Sequence, residues 1–373
     1  MKQFFSKIKS DPVLIAAWIL AIISAFVVTP DKEYIGYIDF RSLGILWSLM
    51  IVIQGLKENS VFEKIATGLL EKVNTGRSLA IILILMCFLG SMFITNDVAL
   101  ITFVPFALML LHSCKRDDLA IPVVVLQTVA ANLGSMLTPI GNPQNLYLFS
   151  ATGMGIVEFI LCMLPYTLIT LALLFVSAFL LKNGSNKIEM SGDVLTVGKF
   201  GSNKQIIIYM VLFVLAILSV VRVIPWYVAA ICVFVVVLGM DYKILFRADY
   251  MLLLTFIGFF VFTGNIGRIP QIHDYLKGIV SGREFYSAIV ASQFISNVPA
   301  TFLLFEFAED YKELLRGVNI GGLGTLIASM ASLISYKNFA NAFPDKKGKY
   351  ILKFSLVNVI YLVIMLLLHI VLV

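Results

Sequence analysis

Long apolar runs recur along this chain with only short polar connections between them, at about 13–29, 43–56, 78–94, 97–111, 119–137, 155–181, 205–221, 226–240, 250–263, 284–305, 318–335 and 350–372. Lipid leaves backbone groups nothing to bond with, and crossing its ~30 Å core takes about 20 helical residues, so runs without period-2 alternation must be helices. The chain reads as an all-α polytopic membrane protein. Composition agrees, with 60% hydrophobic and 13% charged residues in 373, against about a quarter charged in a soluble domain. A soluble enzyme, a nucleic-acid partner and a disulfide scaffold are excluded on this reading. Cys87, Cys114, Cys162 and Cys232 lie in or at the ends of apolar runs without C-x-x-C spacing, and His112, His273 and His369 are scattered near span ends. Neither redox chemistry nor a transition-metal site is expected from them.

Placing the N-terminus in the cytoplasm puts most of the 28 Lys and Arg residues on the cytoplasmic side, as the positive-inside bias requires. Lys2, Lys7 and Lys9 precede the first run, and no small-x-small cleavage site follows at Thr29-Pro30-Asp31, so it reads as an uncleaved span of an inner-membrane protein. Segments 78–111 and 283–308 read as re-entrant hairpins. Arms of about 13 residues in the second reach only ~20 Å, which stops the turn near the midplane. Its tip would be Ser296-Asn297, polar residues that need a hydrated, protein-lined cavity.

A two-part cassette occurs twice. Ser91-Met-Phe-Ile-Thr95-Asn96-x-x-Ala99 is answered by Ser292-Gln-Phe-Ile-Ser296-Asn297-x-x-Ala300. Asn132-x-Gly134-x3-Thr138-x2-Gly141 is answered by Asn319-x-Gly321-x3-Thr325-x2-Ala328. Apolar bias explains shared Leu and Phe, but not Ser, Asn, Gly and Thr recurring in order. The expected organisation is two inverted repeats, the signature of many secondary transporters. Residues 1–200 hold the N-terminal span, hairpin 78–111, a broken helix 119–153, span 155–181 and a cytoplasmic linker. Residues 201–373 hold hairpin 283–308, a broken helix 317–336 and the last span 350–372.

The repeated residues suit ion chemistry. Ser91 and Thr95, like Ser292 and Ser296, are i and i+4 on a helical arm, so two hydroxyls share a face at each tip. Asn96 and Asn297 add a carbonyl oxygen, and hard cations take several such oxygens. The arm leaving each tip starts there, so its free N–H groups favour an anion. Capping of the following helix is the alternative role for these same residues. Thr138-Pro139-Ile140-Gly141-Asn142-Pro143 must break its helix, because proline removes a hydrogen bond and clashes with the preceding turn. Gly321, Gly322 and Gly324 weaken the second copy without proline. Asp97 is the one carboxylate expected at a tip, as a cation or proton ligand or as an acid favouring the helix dipole. Glu158, Arg222, Glu306 and Glu309 fall near helix ends and read as snorkelling charges.

On these motifs the chain resembles the ion transporter superfamily over nearly its whole length, specifically the citrate-transporter-like permeases and divalent anion/sodium symporters. That resemblance implies a homodimeric elevator-type carrier. It implies one sodium site at Ser91, Thr95, Asn96 and Gly141 and a second at Ser292, Ser296, Asn297 and Ala328, with Asp97, Thr138 and Thr325 in the coupling set. Substrate would face Thr95, Asn96, Asp97, Asn142, Pro143, Ser296, Asn297, Thr301 and Ser329. No organic cofactor is implied, and sodium is the candidate bound ion. The pattern departs at Asp97 and Val298, where the family carries threonine. Two functions follow as expectations. The first is a sodium- or proton-driven permease for a small anion, with di- and tricarboxylates as candidates. The second is a sodium/proton exchanger or arsenite-type efflux carrier, whose tips resemble Thr95-Asn96-Asp97.

Overall fold

A computed structural model describes residues 12–70, 73–188 and 201–373. Every regular element among them is helical, with one isolated β-bridge between Thr75 and Lys187. The helices are α1 (Pro12–Val27), α2 (Tyr34–Tyr37), α3 (Phe40–Glu58), α4 (Val61–Leu70), α5 (Gly76–Ile94), α6 (Asn96–Ser113), α7 (Ala120–Gly134), α8 (Pro143–Thr152) and α9 (Ile156–Phe179). They continue with α10 (Asn203–Val220), α11 (Trp226–Leu245), α12 (Tyr250–Gly267), α13 (Pro270–Val280), α14 (Glu284–Ile295), α15 (Asn297–Phe305), α16 (Tyr311–Ile320), α17 (Met330–Ala342) and α18 (Lys347–Leu372). Nine helical segments among the described residues are long and apolar enough to cross a bilayer. Large apolar side chains such as Phe26, Phe179 and Val371 face outward, which for a chain of this composition marks a lipid-facing surface. The protein is an integral membrane protein.

Helix starts follow side-chain chemistry. Asp39, Thr75, Asn142, Asp249 and Asp310 each accept a hydrogen bond from a backbone N–H in the first turn of α3, α5, α8, α12 and α16, satisfying donors that a helix start leaves free. Two groups of helices result. In one, α1 packs on α12, and α3 packs on both α10 and α11. Ser24 of α1 accepts from Asn265 Nδ2 of α12 at 3.0 Å inside that contact. In the other, α7 lies at the centre against α5, α6, α9, α17 and α18, and its residues from Val123 to Gly134 are all buried.

The groups meet where α8 touches α3 and α15 touches α12. An aromatic cluster fills this seam: Tyr147 of α8 lies 4.6 Å from Phe302 of α15, which lies 4.4 Å from Phe256 of α12. Arg222, between α10 and α11, donates to the carbonyls of Gly153 at 2.7 Å and Phe149 at 2.8 Å, at the C-terminal end of α8. That is a cation at the negative end of a helix and not a charge released to solvent. Glu158 pairs with Lys312 at 2.7 Å, and Glu309 with Lys277 at 3.0 Å. Three of the four supposed snorkelling charges thus bind other parts of the protein.

Several sequence-based boundaries change. The second broken helix begins at Tyr311 and not at 317, and ends at Ala342; its first half carries Lys312, Glu313 and Arg316, so it shows no apolar run. The short amphipathic helices α4 and α13, ahead of the two hairpins, show no apolar run for the same reason. The hairpins occupy 76–113 and 284–305. The arms of the second have 12 and 9 residues, whereas those of the first have 19 and 18. Length therefore sets the second hairpin apart from a pair of spans but not the first. Lys2, Lys7 and Lys9 lie outside the described residues.

Candidate functional site

Each hairpin turns on a single residue held in the same unusual conformation. Thr95 has φ 68° and ψ 151°, and Ser296 has φ 71° and ψ 153°. This region of backbone space is open essentially to glycine alone and costs a side-chain-bearing residue about 1–3 kcal/mol. Neither tip is glycine, and both are held in place by the same bond to a helix break. The Asn96 N–H donates to the Gly141 carbonyl at 3.0 Å, and the Asn297 N–H to the Ala328 carbonyl at 2.9 Å.

The breaks repeat these contacts bond for bond. Thr138 Oγ1 donates to the Met92 carbonyl at 2.5 Å, and Thr325 Oγ1 to the Gln293 carbonyl at 3.1 Å. Gly141 N–H donates to the Thr138 carbonyl and Ala328 N–H to that of Thr325. Gly134 and Gly321 sit over Ser91 and Ser292, where an added Cβ would come within 2.8 and 2.7 Å of the hydroxyl oxygens. Ser91, Thr95, Asn96, Thr138 and Gly141 are therefore gathered at one place, and Ser292, Ser296, Asn297, Thr325 and Ala328 at another. The hydroxyls of Ser91 and Ser292 donate to the Phe88 and Ala288 carbonyls, leaving their lone pairs for a ligand.

Two asparagines join these places. Asn132 Oδ1 accepts from Ser329 Oγ at 3.0 Å and from Asn96 Nδ2 at 3.3 Å, and its Nδ2 donates to Ser332 Oγ at 3.4 Å. In the matching positions, Asn319 Oδ1 accepts from Asn142 Nδ2 at 3.0 Å and Asn319 Nδ2 donates to Asn145 Oδ1 at 2.7 Å. Each broken helix thus reaches across to the second half of the other, and all seven of these residues are buried. The N-termini of α6, α8, α15 and α17 begin at Asn96, Pro143, Asn297 and Met330, within or next to residues of this bonded set. Four positive helix ends meet around a neutral amide and hydroxyl network, an arrangement suited to an anion.

The breaks dispose of their freed carbonyls by different means. Asn145 Nδ2 donates to the carbonyls of Ser135, Met136 and Thr138 at 3.2 to 3.4 Å. In the second break Gln293 Nε2 donates to Gly321 and Leu323 at 3.0 Å, and its Oε1 accepts from Thr325 N–H at 3.0 Å. The freed carbonyls are therefore already bonded, although each keeps a second lone pair. The glycine-based break is as complete as the proline-based one, with nine residues between Ile320 and Met330 against eight between Gly134 and Pro143.

Of the remaining predicted residues, Asn142 and Pro143 form the N-cap and first residue of α8, and Ser329 is the residue before α17. Thr301 lies a turn into α15 and donates to the Asn297 carbonyl at 2.7 Å, so its hydroxyl proton is already engaged. Asp97 follows the first tip, where its N–H donates to Asn96 Oδ1 at 2.9 Å. Its Oδ1 is buried without a hydrogen-bond partner. Val298, in the matching position, offers no such group. Asn145, Ser332 and Gln293 were not among the predicted site residues. The signal for the first two was available, since Asn142 and Asn145 stand to Asn132 as Ser329 and Ser332 stand to Asn319. Outside the spans, Arg268 lies 2.8 Å from Asp31 and holds that carboxyl below its ordinary range.

Residues 4–313 match the citrate transporter family. A transporter of Methanocaldococcus jannaschii described as uncharacterized is 32% identical over 336 residues, which cover 89% of this chain and 90% of that protein. The inner membrane protein YbiR of Escherichia coli is 29% identical over 324 residues, 84% of each chain. The silicon efflux transporter LSI3 of Oryza sativa is 32% identical over 139 residues, 37% of this chain and 28% of that protein. A helical membrane protein with paired, mutually braced helix breaks and relatives of this kind is a transporter and not an enzyme, and the chain belongs to the citrate transporter family.

Proposed function

We propose that this protein is a secondary active transporter of a small anion, driven by a sodium or proton gradient through alternating access. The convergence of four helix N-termini on one buried network carries the reading. Among the described residues no lysine or arginine takes part in that network, so an anion would be held by backbone amides and dipoles, which can release it again. Di- and tricarboxylates are the first candidates, in keeping with the family. Asn96, Asn142, Pro143, Asn297 and Ser329 would meet the substrate. Ser91 and Gly141, with Ser292 and Ala328, would line the two cation positions.

The repeated tip and break contacts support two repeats of opposite orientation, one on each side of the membrane. The separation into an α1/α3/α10–α12 group and an α5–α9/α14–α18 group suits an elevator in which the second group moves against the first. An inner-membrane location, a cytoplasmic N-terminus and a homodimer complete the reading, the dimer resting on family resemblance.

The unpartnered Oδ1 of Asp97 favours a second reading, in which this carboxylate takes up sodium or a proton in exchange or efflux. A carboxylate at the tip repels a dianion unless a cation or proton neutralises it. The relative named as a silicon efflux transporter is in keeping with that reading.

Thermal stability of the purified protein separates the two. It would be measured against di- and tricarboxylates, sulfate and arsenite, with and without sodium, at two pH values. A ligand at 100 times its Kd adds about 2.7 kcal/mol. Sodium-dependent stabilisation by a carboxylate supports the symporter. Stabilisation by sodium or pH alone, with every anion silent, supports the exchanger.

A further inference from the structure

A second buried polar cluster lies away from the hairpin tips, where α9, α14, α16 and α18 meet. His369, in the last turn of α18, is 5% exposed. Its Nδ1 lies 2.9 Å from the Tyr166 hydroxyl of α9, and its Nε2 lies 3.2 Å from Glu313 Oε2 of α16. The other Glu313 oxygen accepts from Arg316 on the same helix. Phe285 of α14 stacks on the imidazole at 3.5 Å between ring centres, and Tyr286 meets it edge-on at 6.1 Å. Cys162 is buried one turn before Tyr166, and the Glu158–Lys312 pair lies a turn further along α9 and one residue before Glu313. Glu284 of α14 accepts from the Glu309 and Asp310 backbone N–H groups.

These partners define two arrangements that differ by one proton. With a neutral ring, Nε2–H donates to Glu313 and the Tyr166 O–H donates to Nδ1, so both ring nitrogens, both Glu313 oxygens and the tyrosine proton are all paired. A proton added at Nδ1 converts that acceptor to a donor. The Tyr166 O–H must then give up its bond to Nδ1 and find another acceptor, and Glu313 must serve two cations, the imidazolium and Arg316. A buried hydroxyl left without a partner is costly, so proton uptake reorganises the cluster. Glu313 and Arg316 belong to α16, which also carries Asn319 and its bonds to Asn142 and Asn145.

We propose that His369, with Tyr166, Glu313 and Arg316, forms a proton-binding site separate from the hairpin tips, whose occupancy acts on α16 and through it on the asparagine network. Only its effect on transport rests on the transporter reading above. Proton binding itself does not, and can be tested without substrate.

The sequence contains three histidines. His112→Gln and His273→Gln in the full chain, purified on a tag free of histidine, therefore leave His369 as the single imidazole. Its thermal unfolding would be followed in detergent from pH 8 to pH 5. The expected result is a Tm that falls on acidification, because the unfolded chain takes up the proton without breaking a network. Adding His369→Gln should remove that step, and Tyr166→Phe should move its midpoint to higher pH by freeing Nδ1 from its donor. Identical Tm–pH profiles with and without His369 overturn the proposal. If the glutamine variant fails to fold, an unshifted midpoint in Tyr166→Phe overturns it instead. In proteoliposomes, loss of the pH dependence of flux in His369→Gln is expected, whereas absence of any flux in the parent chain bears on the transporter reading and leaves the stability result standing.

Discussion

Thr95 and Ser296 occupy a backbone conformation that glycine would adopt more cheaply, and they do so at corresponding points of the two hairpins. Their side chains give little back in hydrogen bonds. Thr95 Oγ1 accepts from Val98 N–H at 3.5 Å, and Ser296 makes no side-chain cap. A strained, poorly repaid residue at a polar tip is a mark of function. Thr95→Gly and Ser296→Gly are accordingly expected to fold with a Tm equal to or above that of the parent, by as much as the about 1–3 kcal/mol of relieved strain allows. Transport should fall, because each variant deletes a hydroxyl at the proposed cation position. A clear loss of thermal stability in both would show that the side chains are structural.

The broken helices reach one geometry by unlike chemistry. The first uses proline on either side of Gly141 and caps its freed carbonyls with Asn145; the second uses glycine and caps them with Gln293. Gly141 shows how tightly the first is closed, since an added Cβ would lie 2.0 Å from the Ser135 carbonyl oxygen. Its counterpart, Ala328, already carries a Cβ. Gly141→Ala should therefore destabilise the protein by at least the about 1–3 kcal/mol typical of overpacking and weaken substrate binding with it. Ala328→Gly should cost under about 1 kcal/mol. Paired unfolding measurements on the two variants test this, and equal effects would count against the asymmetry. This asymmetry was partly legible beforehand: the prolines announce one break, while Gln293 looks like any polar residue on an apolar arm until the fold brings it to the second.

At the scale of the whole molecule, the two helical groups are in contact along a seam of aromatic rings from α8, α12 and α15, with Arg222 holding the end of α8. If the group centred on α7 moves between two positions, the hairpin tips must exchange access to water. Single cysteines replacing Asn96 and Asn297, each in a chain freed of its four native cysteines, should change their rates of labelling by a membrane-impermeant maleimide in opposite directions when the gradient is reversed. Unchanged rates at both positions would rule out alternating access through the tips.

The amino-acid sequence by itself determined the class of structure, because a chain this apolar and this poor in charge must bury its backbone in helices within a membrane. It also located both hairpin tips and both breaks, since serine, asparagine, threonine and glycine recur in order against an apolar background where chance similarity would not place them. Asn96, Gly141, Asn297 and Ala328 were readable for that reason. Tertiary structure decided what those residues touch. The crossing of Asn132 to Ser329 and of Asn319 to Asn142 joins positions far apart in the chain, and no local periodicity encodes such pairings. The start of α16 was hidden because its charged residues interrupt the apolar pattern, although the fold supplies them with partners. His369 likewise looked isolated near the end of a span, and only the packing of four helices brought Tyr166, Glu313 and Phe285 to its ring.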